Sequence, residues 1–143
     1  MKILILCTGN SCRSQMAHGF LQSFDSRLQV FSAGTEPAVQ VNAQAVAVMQ
    51  EVGIDISHHV PAPVSQYLGE AWDFVITVCG GANESCPVFI GKVQQRLHFG
   101  FVDPSLEQGS PEHVKQVFHQ VRDAIKARFH EFYDEQIAPL LQK

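Results

Sequence analysis

The sequence has no apolar run long enough to cross a bilayer, and it is poor in charge of either sign. Charged residues make up 17% of the 143 residues, and 10 Lys and Arg against 14 Asp and Glu give a formal net charge of −4. This weak negative balance argues against nucleic acid or an anionic membrane as a partner. The apolar run at the N-terminus is interrupted by Gly9 and Asn10, too early for a signal peptide, so we expect a cytoplasmic protein.

Internal repeats and low-complexity linkers are also missing. A chain of this length with 45% hydrophobic residues can bury its own core, so we expect one domain over residues 1–143, acting as a monomer. Cysteine is scarce, with four residues at Cys7, Cys12, Cys79 and Cys86. A reducing compartment disfavours permanent disulfides, which leaves catalytic, redox or metal roles. The cysteine spacings lack the two short gaps typical of a four-cysteine zinc site, so we expect no bound metal.

Hydrophobic periodicity predicts strands that alternate with helices. Apolar runs predict four strands, at residues 2–6, 29–32, 74–78 and 98–102. Apolar residues at steps of three and four predict helices at residues 14–26, 42–52 and 111–133, with a short helix at 64–70. Asn42 is the predicted N-cap of the second helix, and Gly53 its stop signal. The alternation predicts an α/β fold with a parallel sheet covered on both faces.

The most informative motif lies between the first predicted strand and the first predicted helix, and reads Cys7-Thr8-Gly9-Asn10-Ser11-Cys12-Arg13-Ser14. A loop entering a helix N-terminus turns several backbone N–H groups inward, so residues 8–14 are the predicted binding site for a tetrahedral oxyanion. Gly9 and Asn10 suit the tight or left-handed backbone that such a loop requires. The same field favours a thiolate, which makes Cys7 the predicted nucleophile.

Two side chains would complete this loop. The planar guanidinium of Arg13 would hold two oxygens of the anion and stabilise charge during an in-line displacement. Ser14 would donate a hydrogen bond to the Cys7 sulfur. The alternative is a buried cysteine at a strand end followed by a solvated arginine, but it leaves the glycine, asparagine and serines between them without a purpose.

Two further cysteines suggest sulfur redox chemistry. Cys79 follows the third predicted strand, and the carboxyl ends of parallel strands meet at one edge, so we expect it near Cys7. Cys86 comes seven positions later, after two glycines. In a helix these two cysteines would be roughly 10 Å apart, beyond the reach of about 7 Å for a disulfide. Their pairing would require the segment to unwind, which favours a redox switch over two inert cysteines.

An aspartate completes the predicted catalytic set. Asp103-Pro104 follows the fourth predicted strand, so the carboxylate would reach the same sheet edge as Cys7. Although Asp-Pro is also a common turn, its position beside the Cys7 loop makes Asp103 the candidate general acid for a leaving oxygen.

Five segments together carry a resemblance that covers most of the chain. They are CTGNSCRSQMA at residues 7–17, SAG at 32–34, GIDIS at 53–57, the cysteine pair in TVC and ESCP, and FVDP at 101–104. With these the chain closely resembles the thioredoxin-coupled arsenate reductases, which share the fold of the low-molecular-weight protein tyrosine phosphatases. The resemblance implies a three-layer sandwich around a four-stranded parallel sheet. The first motif occurs in the phosphatases too, whereas Cys79 and Cys86 are typical of a reductase.

The resemblance also implies a reaction sequence that serves arsenic detoxification. Cys7 attacks arsenate, with Asp103 as the proton donor. Cys79 then attacks the Cys7 sulfur, arsenite leaves, and a Cys7–Cys79 disulfide remains. Cys86 attacks Cys79, and reduced thioredoxin restores the thiols as the electron donor, with no bound cofactor.

The chain departs from the family pattern at a cation site. Many members bind a potassium ion beside the cysteine loop, and Asn10 and Ser32 match two of its ligands. His18 stands where those members have a glutamate, and residues 60–62 (Val-Pro-Ala) replace polar and acidic side chains. We therefore expect no potassium ion, because the hard oxygen ligands are missing. A protonated His18 would supply part of the positive charge, or it is an exposed helix residue.

Two other functions stay open at this point. A phosphatase for phosphotyrosine or small esters would use the same loop and Asp103 but needs neither Cys79 nor Cys86, and Ser105 stands where such enzymes usually carry an aromatic residue. A redox-sensing or oxyanion-binding module would bind or oxidise without multiple turnover. The pair at residues 58–59 (His-His) is assigned to a solvated loop.

Overall fold

Four parallel strands form the sheet of the computed structural model, which describes residues 1–79 and 91–142. The strands are β1 (Lys2–Cys7), β2 (Gln29–Gly34), β3 (Ala71–Thr77) and β4 (Lys92–His98). They pair in the order β2-β1-β3-β4, and every pairing is parallel. The predicted α/β class with a four-stranded parallel sheet is therefore confirmed. Cys7 and Gly34 are register partners at the carboxyl ends of β1 and β2.

The helices are α1 (Arg13–Phe24), α2 (Ala43–Gln50) and α3 (Pro111–Phe132), and α3 continues through a π-helical turn (Tyr133–Ile137) into the short α4 (Ala138–Leu141). Asn42 caps α2, because its side-chain oxygen accepts hydrogen bonds from the N–H groups of Gln44 and Ala45 at 2.8 and 3.2 Å. Gly53 follows with a φ of 81°, which ends the helical path as predicted. Within the described ranges, none of the helices is long and apolar enough to span a membrane.

Both faces of the sheet are buried, which explains why β1 is apolar without alternation. Ile3 and Ile5 point to one face, where they belong to a large core shared with α1, α2 and α3. Leu4 and Leu6 point to the other face and pack in a smaller core with Trp72. All four aliphatic side chains are fully buried, so β1 is the central support of the loop that follows it.

The prediction of a fourth strand at residues 98–102 is wrong, because β4 ends at His98. β4 is the edge strand of the described sheet and mostly exposed, so its polar sequence KVQQRLH lacks the apolar run that marks a buried strand. The apolar residues beyond it still contact the core: Phe99 is 7% exposed and packs against Phe129. The helix predicted at 64–70 is a single 3-10 turn, Val64–Tyr67.

Hydrogen bonds carry the chain from β4 to the site. The N–H groups of Phe99 and Phe101 donate to the carbonyls of Thr77 and Val78 at 2.9 and 3.2 Å, so the segment stays beside the end of β3. Asp103 therefore reaches the carboxyl edge of the sheet, although the strand before it ends four residues earlier than predicted.

Candidate active site

The loop from Cys7 to Arg13, here called the anion loop, surrounds a cavity of about 170 Å³. Cys7 is the last residue of β1 and Arg13 is the first residue of α1, so a buried strand and a helix N-terminus hold the two ends of the loop. The cavity is lined by the whole anion loop and by Asp103. The structure thus brings together residues that the sequence separates by 90 positions.

Backbone hydrogen bonds orient the anion loop. The carbonyls of Thr8, Gly9 and Ser11 accept from backbone N–H groups of the segment 36–42 at 3.0, 2.9 and 2.8 Å. In a trans peptide the C=O and the following N–H point in opposite directions, and the described residues contain no cis peptide. The three following N–H groups therefore point away from that segment, toward the cavity. This arrangement has the geometry of an anion-binding nest at a helix N-terminus.

Asn10 holds the turn of the anion loop. Its φ of 50° lies in the left-handed region, which Asn tolerates better than most residues, whereas Gly9 has no positive φ. Asn10 is fully buried. Its Oδ1 accepts from the N–H of Ala62 at 3.0 Å, and its Nδ2 donates to Ser14 Oγ at 2.8 Å. That bond uses an acceptor site of the Ser14 hydroxyl and not its proton, and the predicted bond from Ser14 to the Cys7 sulfur stays a prediction.

Gly34 is a residue for which sequence reasoning found no role. A Cβ built on Gly34 would lie 2.3 Å from the carbonyl oxygen of Thr8 and 3.0 Å from its carbonyl carbon, so only glycine fits under the anion loop. The available signal was a glycine at the end of a strand, which often marks close approach of another backbone.

Arg13 is held in place by the segment that follows β4. Its side chain is 2% exposed. One terminal nitrogen donates to the carbonyl of Phe101 at 3.1 Å, and the other lies 3.5 Å from Oδ2 of Asp103. Oδ1 of Asp103 accepts from both the N–H and the hydroxyl of Ser105, at 2.9 and 2.6 Å. These contacts hold the guanidinium and the carboxylate next to each other in the lining of one small cavity.

The cysteines differ in their environments. Cys7 and Cys12 are both buried, each with 3% of its surface exposed. Burial raises the pKa of Cys12 far above the ordinary range of a thiol, and nearby Asp103 raises it further, so Cys12 stays protonated and is a poor nucleophile. Cys79 is buried and disulfide-bonded, two residues beyond β3. Cys86 lies outside the described residues.

The position of Cys79 follows from the sheet. The N–H of Val78 donates to the carbonyl of Leu6 at 2.9 Å, which continues the β1–β3 pairing by one residue. Cys7 and Cys79 are the next residues of these two adjacent segments. They therefore leave the sheet at the same carboxyl edge, as expected for parallel strands.

A histidine pair lies behind the anion loop, and it corrects two expectations. The rings of His18 and His59 are 4.5 Å apart. Burial lowers the pKa of His18 from 6.5 to about 3, and the neighbouring His59 and His58 contribute. The hypothesis that a protonated His18 supplies positive charge is therefore wrong, because the ring is neutral near pH 7. His59 is half-buried rather than solvated, and burial lowers its pKa too.

The residues around this pair would be poor ligands for a potassium ion, which the sequence does not predict here. Asn10 Oδ1 is engaged by the N–H of Ala62, and Ser32 Oγ lies 3.0 Å from Nδ1 of His18. The imidazole of His18 offers no carboxylate oxygen, although hard cations prefer such ligands. Across residues 1–79 and 91–142, no cluster of three or more His, Cys, Asp or Glu side chains is arranged to hold a metal ion.

The fold and the site define a class: α/β proteins in which a Cys-to-Arg anion loop joins the first strand of a parallel sheet to the first helix. Comparisons with known proteins give the family. The family model of the low molecular weight phosphotyrosine protein phosphatases matches residues 2–142. The arsenate reductase of Shouchella clausii (strain KSM-K16) is 47% identical over 131 residues, which cover 91% of this chain and 93% of the relative.

Solved structures agree with the sequence comparison. An arsenate reductase in its phosphate binding state superposes with a TM-score of 0.73 at 30% identity, over 94% of this chain and 97% of the other. A thioredoxin-dependent arsenate reductase of Corynebacterium glutamicum gives a TM-score of 0.67 at 26% identity, over 93% of this chain and 59% of that chain. The chain belongs to the low molecular weight phosphotyrosine protein phosphatase family, and the predicted resemblance to its arsenate reductase members is confirmed.

Proposed function

We propose that this chain reduces arsenate to arsenite, with Cys7 as the nucleophile and with Cys79 and Cys86 as a thiol relay that thioredoxin regenerates. The observation that carries the proposal is the convergence of Cys7, Arg13 and Asp103 on one cavity, with Cys79 leaving the sheet beside Cys7. The curated relative at 47% identity is an arsenate reductase, which supports this substrate over a phosphate ester.

Arsenate is held by a local field, since the protein as a whole is weakly negative. The inward N–H groups of the anion loop and the guanidinium of Arg13 provide donors on several sides of a tetrahedral oxyanion. Because Arg13 is buried and bonded to the Phe101 carbonyl, it needs little reorganisation when the anion enters. Phosphate has the same shape and charge, so it would compete for this loop.

In the first step the Cys7 thiolate attacks arsenic, so a sulfur–arsenic bond forms and an arsenic–oxygen bond breaks. Asp103 is the general acid that passes a proton to the departing oxygen, which leaves as water. Ser105 holds Oδ1 of Asp103, which leaves Oδ2 on the side of Arg13 and the cavity. Cys12 does not compete in this step, because burial keeps it as a neutral thiol.

In the second step the Cys79 thiolate attacks the Cys7 sulfur. The sulfur–arsenic bond breaks and its electron pair passes to arsenic, so As(V) becomes As(III) while two thiolates become one disulfide. Arsenite takes up a proton and leaves. Cys86 then attacks Cys79 and releases the Cys7 thiolate. In the described residues Cys79 is disulfide-bonded, which is compatible with its place in the relay.

Reduced thioredoxin completes the cycle by attacking the remaining disulfide and becoming oxidised itself. The Corynebacterium glutamicum relative is a thioredoxin-dependent enzyme, which supports this electron donor. No bound cofactor takes part. In this proposal the protein acts as a monomer in the cytoplasm, where reduced thioredoxin is available, and it serves arsenic detoxification.

The test is steady-state arsenate reduction with thioredoxin, thioredoxin reductase and NADPH. We expect sustained turnover by the wild type and at most one turnover by Cys86→Ser. Equal multiple turnover by Cys86→Ser would exclude the role of Cys86. Rapid hydrolysis of a phenyl phosphate ester without arsenate reduction would replace the proposal with a phosphatase, and oxyanion binding without any turnover would indicate a binding module.

A further inference from the structure

A second cleft, of about 310 Å³, lies behind the anion loop. Its walls come from α1 and from the segment that follows α2, and its polar lining includes His18, His58, His59 and Asp55. The proposed mechanism uses none of these side chains. Two of them nevertheless connect with the anion loop or its supports through short hydrogen bonds.

The first connection runs from His59 through Gln15 to Asn10. Gln15 Nε2 donates to the Asn10 carbonyl at 3.1 Å, so the Gln15 oxygen is the acceptor of its amide group. His59 Nδ1 lies 2.8 Å from that oxygen and must therefore be its donor. Gln15 is 1% exposed and Asn10 is 0% exposed, so the chain of bonds is shielded from water. It ends on the residue that has the left-handed φ.

The second connection uses the same segment of the chain. Three residues after His59, the N–H of Ala62 donates to Oδ1 of Asn10 at 3.0 Å. The segment 59–62 is therefore hydrogen-bonded to Asn10 in two ways, directly to its side chain and through Gln15 to its carbonyl. The ring of His59 also contacts the ring of His18, at 4.5 Å between centroids and a tilt of 31°. Nδ1 of His18 lies 3.0 Å from Ser32 Oγ on β2.

We infer that His59 is a positioning residue for the anion loop. By holding Gln15 it fixes the Asn10 carbonyl on the side away from the cavity, and peptide planarity then turns the N–H of Ser11 toward the bound anion. Loss of the His59 donor leaves the buried oxygen of Gln15 without its partner, so Gln15 rotates and releases the Asn10 carbonyl. The inference rests on the proposed function only in that the bound anion is the substrate.

The test compares three variants of the reduced full-length protein. His59→Ala removes the donor, and His59→Asn retains a side-chain N–H at the position of Nδ1. His58→Ala is the matched control, because His58 is the exposed neighbour that lines the same cleft. We measure the dissociation constant of inorganic phosphate by calorimetry, together with KM and kcat for arsenate.

We expect His59→Ala to weaken phosphate binding and to raise KM for arsenate about five- to tenfold, as for the loss of one buried hydrogen bond. We expect His59→Asn to recover most of the affinity and His58→Ala to bind like the wild type. A Gln15→Met, His59→Ala double variant should bind no more weakly than Gln15→Met alone, because both changes break one chain of bonds.

Wild-type phosphate affinity in a folded His59→Ala protein would overturn the inference. So would equal weakening in the His58→Ala control. Should His59→Ala not fold, the comparison of His59→Asn with His59→Gln decides, because only the asparagine places its N–H at the Nδ1 position, and equal affinities would refute the role. If the wild type binds phosphate but does not reduce arsenate, the proposed function fails while the positioning role is still tested by binding.

Discussion

The neutral state of His18 predicts a specific dependence of stability on pH. Folding lowers the pKa of His18 from 6.5 to about 3. Between these two pH values the unfolded chain binds a proton at His18 and the folded protein does not. The contribution of His18 to the unfolding free energy is fully present above pH 6.5. It falls as the pH decreases and stops falling near the folded pKa of about 3. From these two values, lowering the pH from 7 to 5 removes about 2 kcal/mol of unfolding free energy.

The perturbation is His18→Asn, which keeps a polar group for Ser32 Oγ but cannot be protonated in this range. We expect the wild type to lose about 2 kcal/mol more than this variant between pH 7 and pH 5. His59 contributes in the same direction in both proteins, because burial lowers its pKa as well. The side-chain hydrogen bond from Ser57 lowers the pKa of Asp55. The contribution of this carboxylate to protein stability is therefore lost only when the pH falls to 3.8 and below.

The assay is urea denaturation of the reduced proteins at pH 7, 6 and 5, followed by circular dichroism. Equal losses of unfolding free energy in the wild type and in His18→Asn would refute the argument, since the imidazole would then be protonated in the folded protein. An unfolding free energy of the wild type that stays constant from pH 7 to pH 5 would refute it as well.

Three further changes test the anion loop. Gly34→Ala should lower the unfolding free energy by about 1–3 kcal/mol and weaken phosphate binding, because the added Cβ would meet the Thr8 carbonyl. Urea denaturation measures the first effect and calorimetry the second. Unchanged stability and affinity would contradict the close contact. Arg13→Lys should lower kcat/KM for arsenate about 100-fold or more in the coupled assay through loss of the planar fork, and a smaller loss than threefold would exclude that role. Asp103→Asn should lower kcat about 100-fold while phosphate affinity stays near wild type, and an unaltered kcat would require another acid.

Local chemistry made much of the site predictable. A buried strand, a short polar loop and a helix start follow one another within residues 2–14, so the sequence predicts the anion nest without any distant contact. The left-handed backbone at Asn10 and the cap at Asn42 are likewise properties of a residue and its next few neighbours. Helix caps and turns are settled at this range, because their hydrogen bonds are local.

Distant contacts decided what the sequence pattern missed. β4 is an edge strand and mostly exposed to solvent, so its sequence has no apolar run. The fourth strand is therefore predicted at the apolar residues that follow β4. His59 reaches Gln15 across 44 positions, and no periodicity signals that a loop histidine becomes half-buried. The steric demand at Gly34 exists only because the Thr8 carbonyl crosses it.

By itself, the sequence determined the α/β class, the anion loop and the set of cysteines that could take part in redox chemistry. These features depend on residue types at short range. The tertiary structure decided that Asp103 contacts Arg13 across 90 positions, that His59 reaches Gln15 across 44 positions, and that His18 is neutral. The physical reason is that distance, burial and pKa depend on which segments pack together. Packing of distant segments is a property of the whole fold, and no local pattern of residues contains it.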